Sequence, residues 1–236
     1  KSVTVPKVGQ MSMSDLTDGQ DIVDEEDIGM TTVDLTASEV GAKIILTDKL
    51  VRQSSENVFS MIGRQLGDGM ARKKDVDVLS LYSGFSTDFG TAGSAMTLAN
   101  VSAAIAYAKG KKFGSNVYIV QHPFAVWDIA NTAVTASTTY PVPAGWSADL
   151  LGNFFSGLRP INGVPIFEDG NITIDGSDDA VGVVADKSAL AVLKSVYMNK
   201  EQDRDISLRA TEVVITADYG VFELDDSKGV GLTLDA

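Results

Sequence analysis

The first quarter of this chain contains no aromatic residue. The chain has 236 residues, among them nine Phe, six Tyr and two Trp, yet the first of these is Phe59. Residues 23–58, VDEEDIGMTTVDLTASEVGAKIILTDKLVRQSSENV, are heavily charged and alternate in places like a strand. Ordering the backbone costs about 1–2 kcal/mol per residue, which a segment with few large apolar side chains cannot offset alone. The stability of residues 1–52 must therefore come from something other than their own side chains.

Composition places the chain among globular proteins and excludes several classes. Its hydrophobic content of 44% supports one large or two modest domains. The absence of cysteine excludes disulfides, zinc–thiolate sites and cysteine nucleophiles, and suits a reducing cytoplasm. A net charge of -13 argues against nucleic-acid recognition, which needs clustered Lys and Arg. No apolar run approaches the roughly 20 residues that cross a bilayer, and the first residues lack a signal-peptide pattern, so we expect no membrane contact.

The sequence predicts no catalytic residue, no metal site and no cofactor. His122 is the only histidine, and its place between a predicted strand and a proline favours a capping or structural role. No G-x-S-x-G, P-loop or G-x-G-x-x-G motif is present. The acidic stretches 18–29 and 169–180 fail as EF-hand loops, because Val23 and Ile174 stand where glycine is required.

The order of the predicted elements is more informative than any single motif. We predict an extended arm over 1–18, a two-stranded hairpin over 19–52 broken at Gly41, helices over 54–82 and 98–109, a strand over 116–121, a helix from Pro123, a loop-rich stretch over 131–160, a short strand within 161–169, and strands over 180–185 and near 191–198, 206–217, 219–224 and 229–234. The last two strands are expected to form a hairpin through DDSKG. Gly63, Gly67 and Gly69 in the first long helix indicate a bend or a close neighbouring backbone.

Four stretches, taken in this order, carry a resemblance to a known family. They are LTDKLVRQSSENVFSMIGRQLGDGMARKKDVDVL, NVYIVQHPFAVWDIA, GLRPINGVPIFED and EQDRDISLRATEVVITADYGVFELDD. The first resembles the passage from the returning strand of an E-loop into a spine helix, and the last resembles the beginning of the long strands of a peripheral domain. Together they resemble the major capsid protein of tailed bacteriophages, the Hong Kong 97-type fold, over nearly the whole chain.

The resemblance implies an α+β fold with an N-terminal arm, an extended β-hairpin E-loop, a long spine helix, and peripheral and axial domains. The implied division is an arm over 1–18, an E-loop over 19–49, a peripheral domain over 50–115 and 190–225, and an axial domain over 116–189 and 226–236. The implied function is self-assembly, as pentamers and hexamers, into an icosahedral shell around double-stranded DNA without sequence-specific binding. The implied location is the virion capsid, assembled in the host cytoplasm, with portal, scaffold and decoration proteins as further partners.

The resemblance also implies where subunits touch. It implies that residues 1–52 are mobile in an isolated subunit and are ordered by other chains on assembly. The candidate inter-subunit residues are Glu25, Glu26, Lys43, Ile44, Leu46, Lys49, Arg52, Arg204 and Arg209. Some members of the family cross-link a Lys of the E-loop to an Asn of the peripheral domain, assisted by a Glu. Here Ala210 and Ala217 stand at the Asn and Glu positions, so we expect a non-covalent shell even though Lys43 and Lys49 lie in the loop.

Two alternatives stay open at this point. One is an encapsulin, a nanocompartment shell protein on the same fold, which would need an internal groove for a cargo peptide. The other, from a different class, is a monomeric β-rich hydrolase or carbohydrate-binding protein. Monomeric behaviour would favour the second, whereas the aromatic-free first quarter argues against it.

Overall fold

A computed structural model of the chain describes residues 2–8, 15, 18, 30–54, 57–134 and 161–235, with the backbone alone for 130–134. The strands are β1 (Ser2–Lys7), β2 (Thr31–Thr36), β3 (Ser38–Thr47), β4 (Val117–Gln121), β5 (Ile166–Glu168), β6 (Asp179–Asp186), β7 (Leu190–Asp205), β8 (Ala210–Glu223) and β9 (Gly229–Asp235). The helices are α1 (Asp48–Gln53), α2 (Val58–Leu79), α3 (Leu98–Gly110) and α4 (Pro123–Val134).

The strands form three separate sheets. The first is a two-stranded antiparallel ribbon of β1 and β2. The second is antiparallel, with the order β3-β8-β7. The third has the order β5-β4-β6-β9, in which only the β4–β5 pair is parallel. This mixture of helices and mainly antiparallel sheets confirms the predicted α+β class.

The four-stranded sheet is covered on both faces. On one face, α3 and α4 pack through Val101, Ile105 and Ile129 against a cluster that includes Ile119 and Leu232. On the other, a second cluster joins the end of α2 and the residues after it to β6. Its members include Leu79, Tyr82, Phe85, Val183 and Ala185. Burial on both faces explains the continuous apolar run in β6, where a buried strand was predicted.

Among the described residues, the three-stranded sheet is covered on one face only. Leu66 and Met70 of α2 pack against one side of β8, whose inward residues are Val213, Ile215, Ala217 and Tyr219. The alternate β8 residues, Glu212, Val214, Thr216 and Asp218, are only half-buried. We call the side of the sheet that carries these four residues the open face.

The long helix begins later than predicted. Residues 48–53 form a separate short helix, α1, capped by the Thr47 hydroxyl, which accepts a hydrogen bond from the Leu50 amide at 3.4 Å. Asn57, not a serine, caps α2, and its Oδ1 accepts from the Ser60 amide at 3.3 Å. After Leu79 the backbone tightens into a 3₁₀-helix over Ser80–Gly84.

The predicted hairpin over 19–52 is wrong in its pairing. Gly41 lies inside β3, where a Cβ would stand 2.8 Å from the Ile215 carbonyl oxygen. β2 pairs with β1, and β3 pairs with β8, so the two strands face different partners. Residues 38–47 therefore find their partner strand within the chain, and the expectation that other chains order the whole of residues 1–52 is wrong for β3.

The predicted C-terminal hairpin is also wrong. The two strands expected over 206–217 and 219–224 are a single strand, β8, and it forms its hairpin with β7. β9 belongs to the other sheet, because its apolar residues pair with β6 and are buried there. DDSKG thus carries the chain from one sheet to the other through a 3₁₀ turn at Asp226–Lys228.

Other predicted elements agree with the structure. The helix over 98–109, the strand over 116–121, the helix from Pro123 and the short strand within 161–169 are confirmed. α4 extends to Val134, and residues 135–160 of the predicted loop lie outside the described residues. The domain division stays a prediction, but α3, which it assigned to the peripheral domain, packs against the four-stranded sheet.

Candidate subunit interface

Two of the predicted contact residues lie where the β7–β8 turn meets α1. The Arg204 guanidinium donates two hydrogen bonds to the Asp48 carboxylate, at 2.8 and 3.3 Å. The Asp48 amide donates to the Arg209 carbonyl oxygen at 3.0 Å. A bidentate pair of this kind fixes orientation as well as distance, so α1 and the turn are held together.

The turn itself is held in one shape by Asp205. Its Oδ1 accepts from the Ser207 amide at 2.8 Å, the Ser207 hydroxyl at 2.6 Å and the Leu208 amide at 3.1 Å. The Ser207 hydroxyl and the Leu208 amide hold the pKa of this carboxyl below its usual value. Arg209 follows with a left-handed φ of 48°. The turn therefore presents Ile206 and Leu208 in a defined conformation.

Ile206 and Leu208 are the most exposed part of this surface. Ile206 is 81% exposed and Leu208 55%, and Leu50 of the adjoining α1 is 50% exposed. We call these three residues, with the exposed cations around them, the hairpin knob. The cations are Lys49, Arg52, Arg204 and Arg209. Large apolar side chains beside arginines are typical of protein–protein interfaces.

The other predicted contact residues differ in burial, and only some of them are accessible to a neighbouring chain. Lys43 lies on the open face and pairs with Glu212, Nζ to Oε2 at 2.7 Å. Ile44 is half-buried and packs against the α2 cluster, and Leu46, on the same side of β3, is only 2% exposed. Leu46 is thus not available to a neighbour, and its selection as a contact residue is wrong. Glu25 and Glu26 lie outside the described residues.

The open face is an acidic surface that the sequence analysis did not identify. Its shallow groove is lined by Ala37, Glu39, Val196, Asn199, Glu201, Thr216 and Asp218, among others. Carboxylates outnumber the lysine Lys43 on this face: they are Glu39, Glu201, Glu212 and Asp218. The alternation of β8 into an apolar side and a polar side was the available signal.

An exposed aromatic pair on α4 was not predicted from the sequence. Phe124 is 62% and Trp127 60% exposed, one helical turn apart. Just before them, His122 Nδ1 accepts from the Phe124 amide at 3.3 Å, which confirms its capping role. Burial lowers the pKa of His122, against a weaker opposing effect of Asp169.

Within the described ranges, no group of three or more His, Cys, Asp or Glu side chains is arranged to hold a metal ion. The helices in those ranges are too short or too polar to cross a membrane.

Residues 31–230, most of the chain, match the family model described as phage capsid protein. The chain belongs to the phage capsid protein family. This confirms the resemblance to tailed-phage major capsid proteins and makes the chain a structural protein of phage capsids. A search of curated proteins returned no match.

Solved phage structures share the fold of this capsid chain. A Mycobacterium phage Che8 chain matches with a TM-score of 0.77 at 17% identity, over 98% of this chain and 84% of that one. The capsid of Ralstonia phage GP4 matches with 0.77 at 14%, over 100% and 83%. The acid-stable capsid of Helicobacter pylori bacteriophage KHP30 matches with 0.75 at 12%, over 100% and 85%. The capsid fold is thus retained at low identity.

Proposed function

We propose that this chain is the major shell-forming subunit of a tailed phage, assembling as pentamers and hexamers into an icosahedral capsid around double-stranded DNA. The observation that carries the proposal is the hairpin knob. Ile206 and Leu208 stand 81% and 55% exposed on a turn that Asp205 holds by three hydrogen bonds. A chain that functioned alone would gain nothing from presenting these side chains to water.

Burying the knob against a second copy would contribute a useful part of the free energy of assembly. Full burial of one such aliphatic side chain contributes about 1.5–3 kcal/mol. Because the turn is already ordered, less conformational entropy is lost on contact. A shell repeats the contact many times, so a modest energy per copy is enough to build a closed assembly.

Charge gives the knob a preferred partner surface. Lys49, Arg52 and Arg209 are exposed cations on a chain whose net charge is -13. We propose that they meet acidic residues of neighbouring copies, Glu25 and Glu26 among them. Lys43 and Ile44, exposed and half-buried on β3, complete the proposed contact set.

The acidic balance also suits the proposed cargo. An excess of carboxylates disfavours tight binding to DNA phosphates, so packaged DNA would be enclosed and not bound by sequence. The proposal includes the virion capsid as location, assembly in the host cytoplasm, and portal, scaffold and decoration proteins as partners.

We propose that the shell is held without covalent links. Ala210 and Ala217, at the positions where cross-linking relatives carry Asn and Glu, are 0% and 1% exposed on β8 and have no reactive group. Lys43 is paired with Glu212 at 2.7 Å. Boiled particles should therefore run as single subunits on a denaturing gel, and a ladder of multiples would contradict this.

The encapsulin alternative shares the fold, and membership of the phage capsid protein family favours the capsid. The nucleic-acid content of purified particles separates the two. That membership also argues against a monomeric hydrolase or carbohydrate-binding protein.

The knob is tested by replacing Ile206 and Leu208 together with serine. We expect folded subunits with an unchanged thermal midpoint that form no shells, as seen by sedimentation and negative-stain microscopy. Ile206→Val is the matched control, because it keeps an apolar side chain and should keep assembly. Normal shells from the double variant would exclude the knob as a contact, and a wild-type protein that stays monomeric or dimeric would contradict the capsid function itself.

A further inference from the structure

The β1–β2 ribbon lies along its own chain and touches it near both ends. The register pairs Ser2 with Thr36 at one end and Lys7 with Thr31 at the other. At the first end, a Cβ on Gly220 of β8 would stand 2.6 Å from the Thr36 carbonyl oxygen. At the other end, Lys7 Nζ reaches Asp225 Oδ1 at 2.7 Å, just beyond the end of β8.

The two ends are held by different means. At the Thr36 end, Leu35 is 4% exposed and the Ser38 hydroxyl donates to the Tyr219 carbonyl oxygen at 3.4 Å. That end also continues directly into β3. At the Lys7 end, the Lys7–Asp225 pair is the one ion pair, among the described residues, that joins the ribbon to the rest of the chain. The far end of the ribbon therefore depends on a contact that can open.

Asp225 is built to accept Lys7 but does not depend on it. Its Oδ1 also accepts from the Ser227 amide at 3.1 Å and the Ser227 hydroxyl at 2.6 Å. Lys228 Nζ lies 3.9 Å from Oδ2. Burial raises the pKa of this carboxyl, but the hydrogen bonds from Lys7 and Ser227 outweigh it, so the net shift is downward. Removing Lys7 thus leaves a carboxylate that still has partners, which limits the cost to the rest of the fold.

We propose that the Lys7–Asp225 pair is a latch that holds the far half of the ribbon on its own chain, and that its opening frees the ribbon to contact a second copy while both larger sheets stay folded. The ribbon has unpaired strand edges, which another chain can extend. The latch is ionic and the Lys7 side chain is 40% exposed, so salt weakens it. The second-copy contact rests on the proposed shell function, but the latch does not.

The latch is measured on dissociated full-length subunits. Because the chain has no cysteine, Val8→Cys and Lys187→Cys place two spin labels, one beside Lys7 and one on the exposed turn after β6. In the otherwise unchanged protein, we expect one narrow, short distance. Lys7→Met should raise the released population about threefold to tenfold, as expected for losing one hydrogen bond of a pair whose lysine is partly exposed to water. About 1 M salt should act in the same direction.

Two variants serve as controls. Lys7→Arg keeps the charge and should keep the short distance. Lys43→Met removes an ion pair of the same 2.7 Å length that joins β3 to β8, and it should leave the label distance unchanged. An unchanged distance in Lys7→Met would overturn the latch. So would faster hydrogen exchange in β6 and β9, because the pair would then stabilise the whole fold.

The second-copy contact has its own readout. Lys7→Met should shorten the lag before shells appear about threefold to tenfold, in proportion to the released population. An unchanged lag with an opened latch would refute the second-copy contact. A protein that forms no shells in any variant would instead refute the proposed function, with the label distances still deciding the latch.

Discussion

β6 and β7 are neighbours in sequence but have opposite surroundings. Seven of the eight residues of β6 are buried, in the centre of the sheet that helices and clusters cover on both faces. None of the 16 residues of β7 is buried, at the edge of the sheet with the open face. Burial on both faces makes β6 part of a core that this chain completes by itself, whereas β7 leaves its whole length accessible to solvent among the described residues.

The largest expected effect tests the closed sheet. Leu232 is fully buried in the cluster beneath α3, so Leu232→Ala should lower the free energy of unfolding by about 3–4 kcal/mol. Val214→Ala, on the open face, should cost less than about 1 kcal/mol. Denaturant unfolding of both variants measures the difference. Equal losses would mean that the open face is packed as tightly as the core.

A smaller effect is expected where α2 crosses the three-stranded sheet. The Tyr219 hydroxyl donates to Asp77 Oδ2 at 2.6 Å, and burial, followed by the Asp77 carboxylate, raises the pKa of Tyr219. Tyr219→Phe removes this bond, and we expect a loss of about 1.5 kcal/mol in thermal or chemical unfolding. Lys73 keeps Asp77 paired, so a loss approaching that of Leu232→Ala would be inconsistent with this account.

A glycine of α2 provides a third test, in which a substitution should stabilise the subunit. A Cβ at Gly67 would meet no atom of the described residues within 4 Å. Gly67→Ala should therefore stabilise the dissociated subunit by about 0.5–1 kcal/mol, because alanine restricts the unfolded chain and favours helix. Thermal unfolding measures this gain. A stabilised subunit that no longer assembles would place a neighbouring backbone against this helix, and a destabilised subunit would contradict the open space.

The smallest effect is pH-dependent and concerns Glu223, at the end of β8. Burial, followed by Asp226, raises its pKa, so the folded state binds the proton more tightly than the unfolded state. Stability from this group is therefore present at low pH and is lost as pH rises from its ordinary pKa through the raised one. Glu223→Gln should add about 0.5 kcal/mol at neutral pH. The gain should vanish below about pH 4, and a gain that persists there would assign it to another cause.

Local sequence patterns predicted an element correctly where its apolar residues are the ones buried in the fold. The run in β6 and the apolar stripe of α3 were recognised because each is dictated by its own residues. β8 was divided in two because Asp218 and Gly220 look like a turn. In the fold Asp218 lies on the open face, where a charge is tolerated inside a strand.

Pairing and exposure were beyond the reach of the sequence. DDSKG has the same turn chemistry whether it closes a hairpin or joins two sheets, and only the distant β6 decides between them. The same limit applies to the candidate interface. Arg204 and Arg209 were candidates through the family resemblance, but Ile206 and Leu208 were not, because nothing local distinguishes an exposed aliphatic residue from a buried one.

The passage of the chain from β8 into β9 has a consequence for synthesis. β9 supplies Val230, Leu232 and Leu234 to the main buried cluster, and β3 must wait for β8, more than 160 residues later, to find its partner. Neither larger sheet can close while residues 210–235 are still within the ribosome. Contacts between such distant segments make folding slow, and incomplete chains expose unpaired strands. Nascent subunits of this protein should therefore depend on chaperones until β8 and β9 emerge.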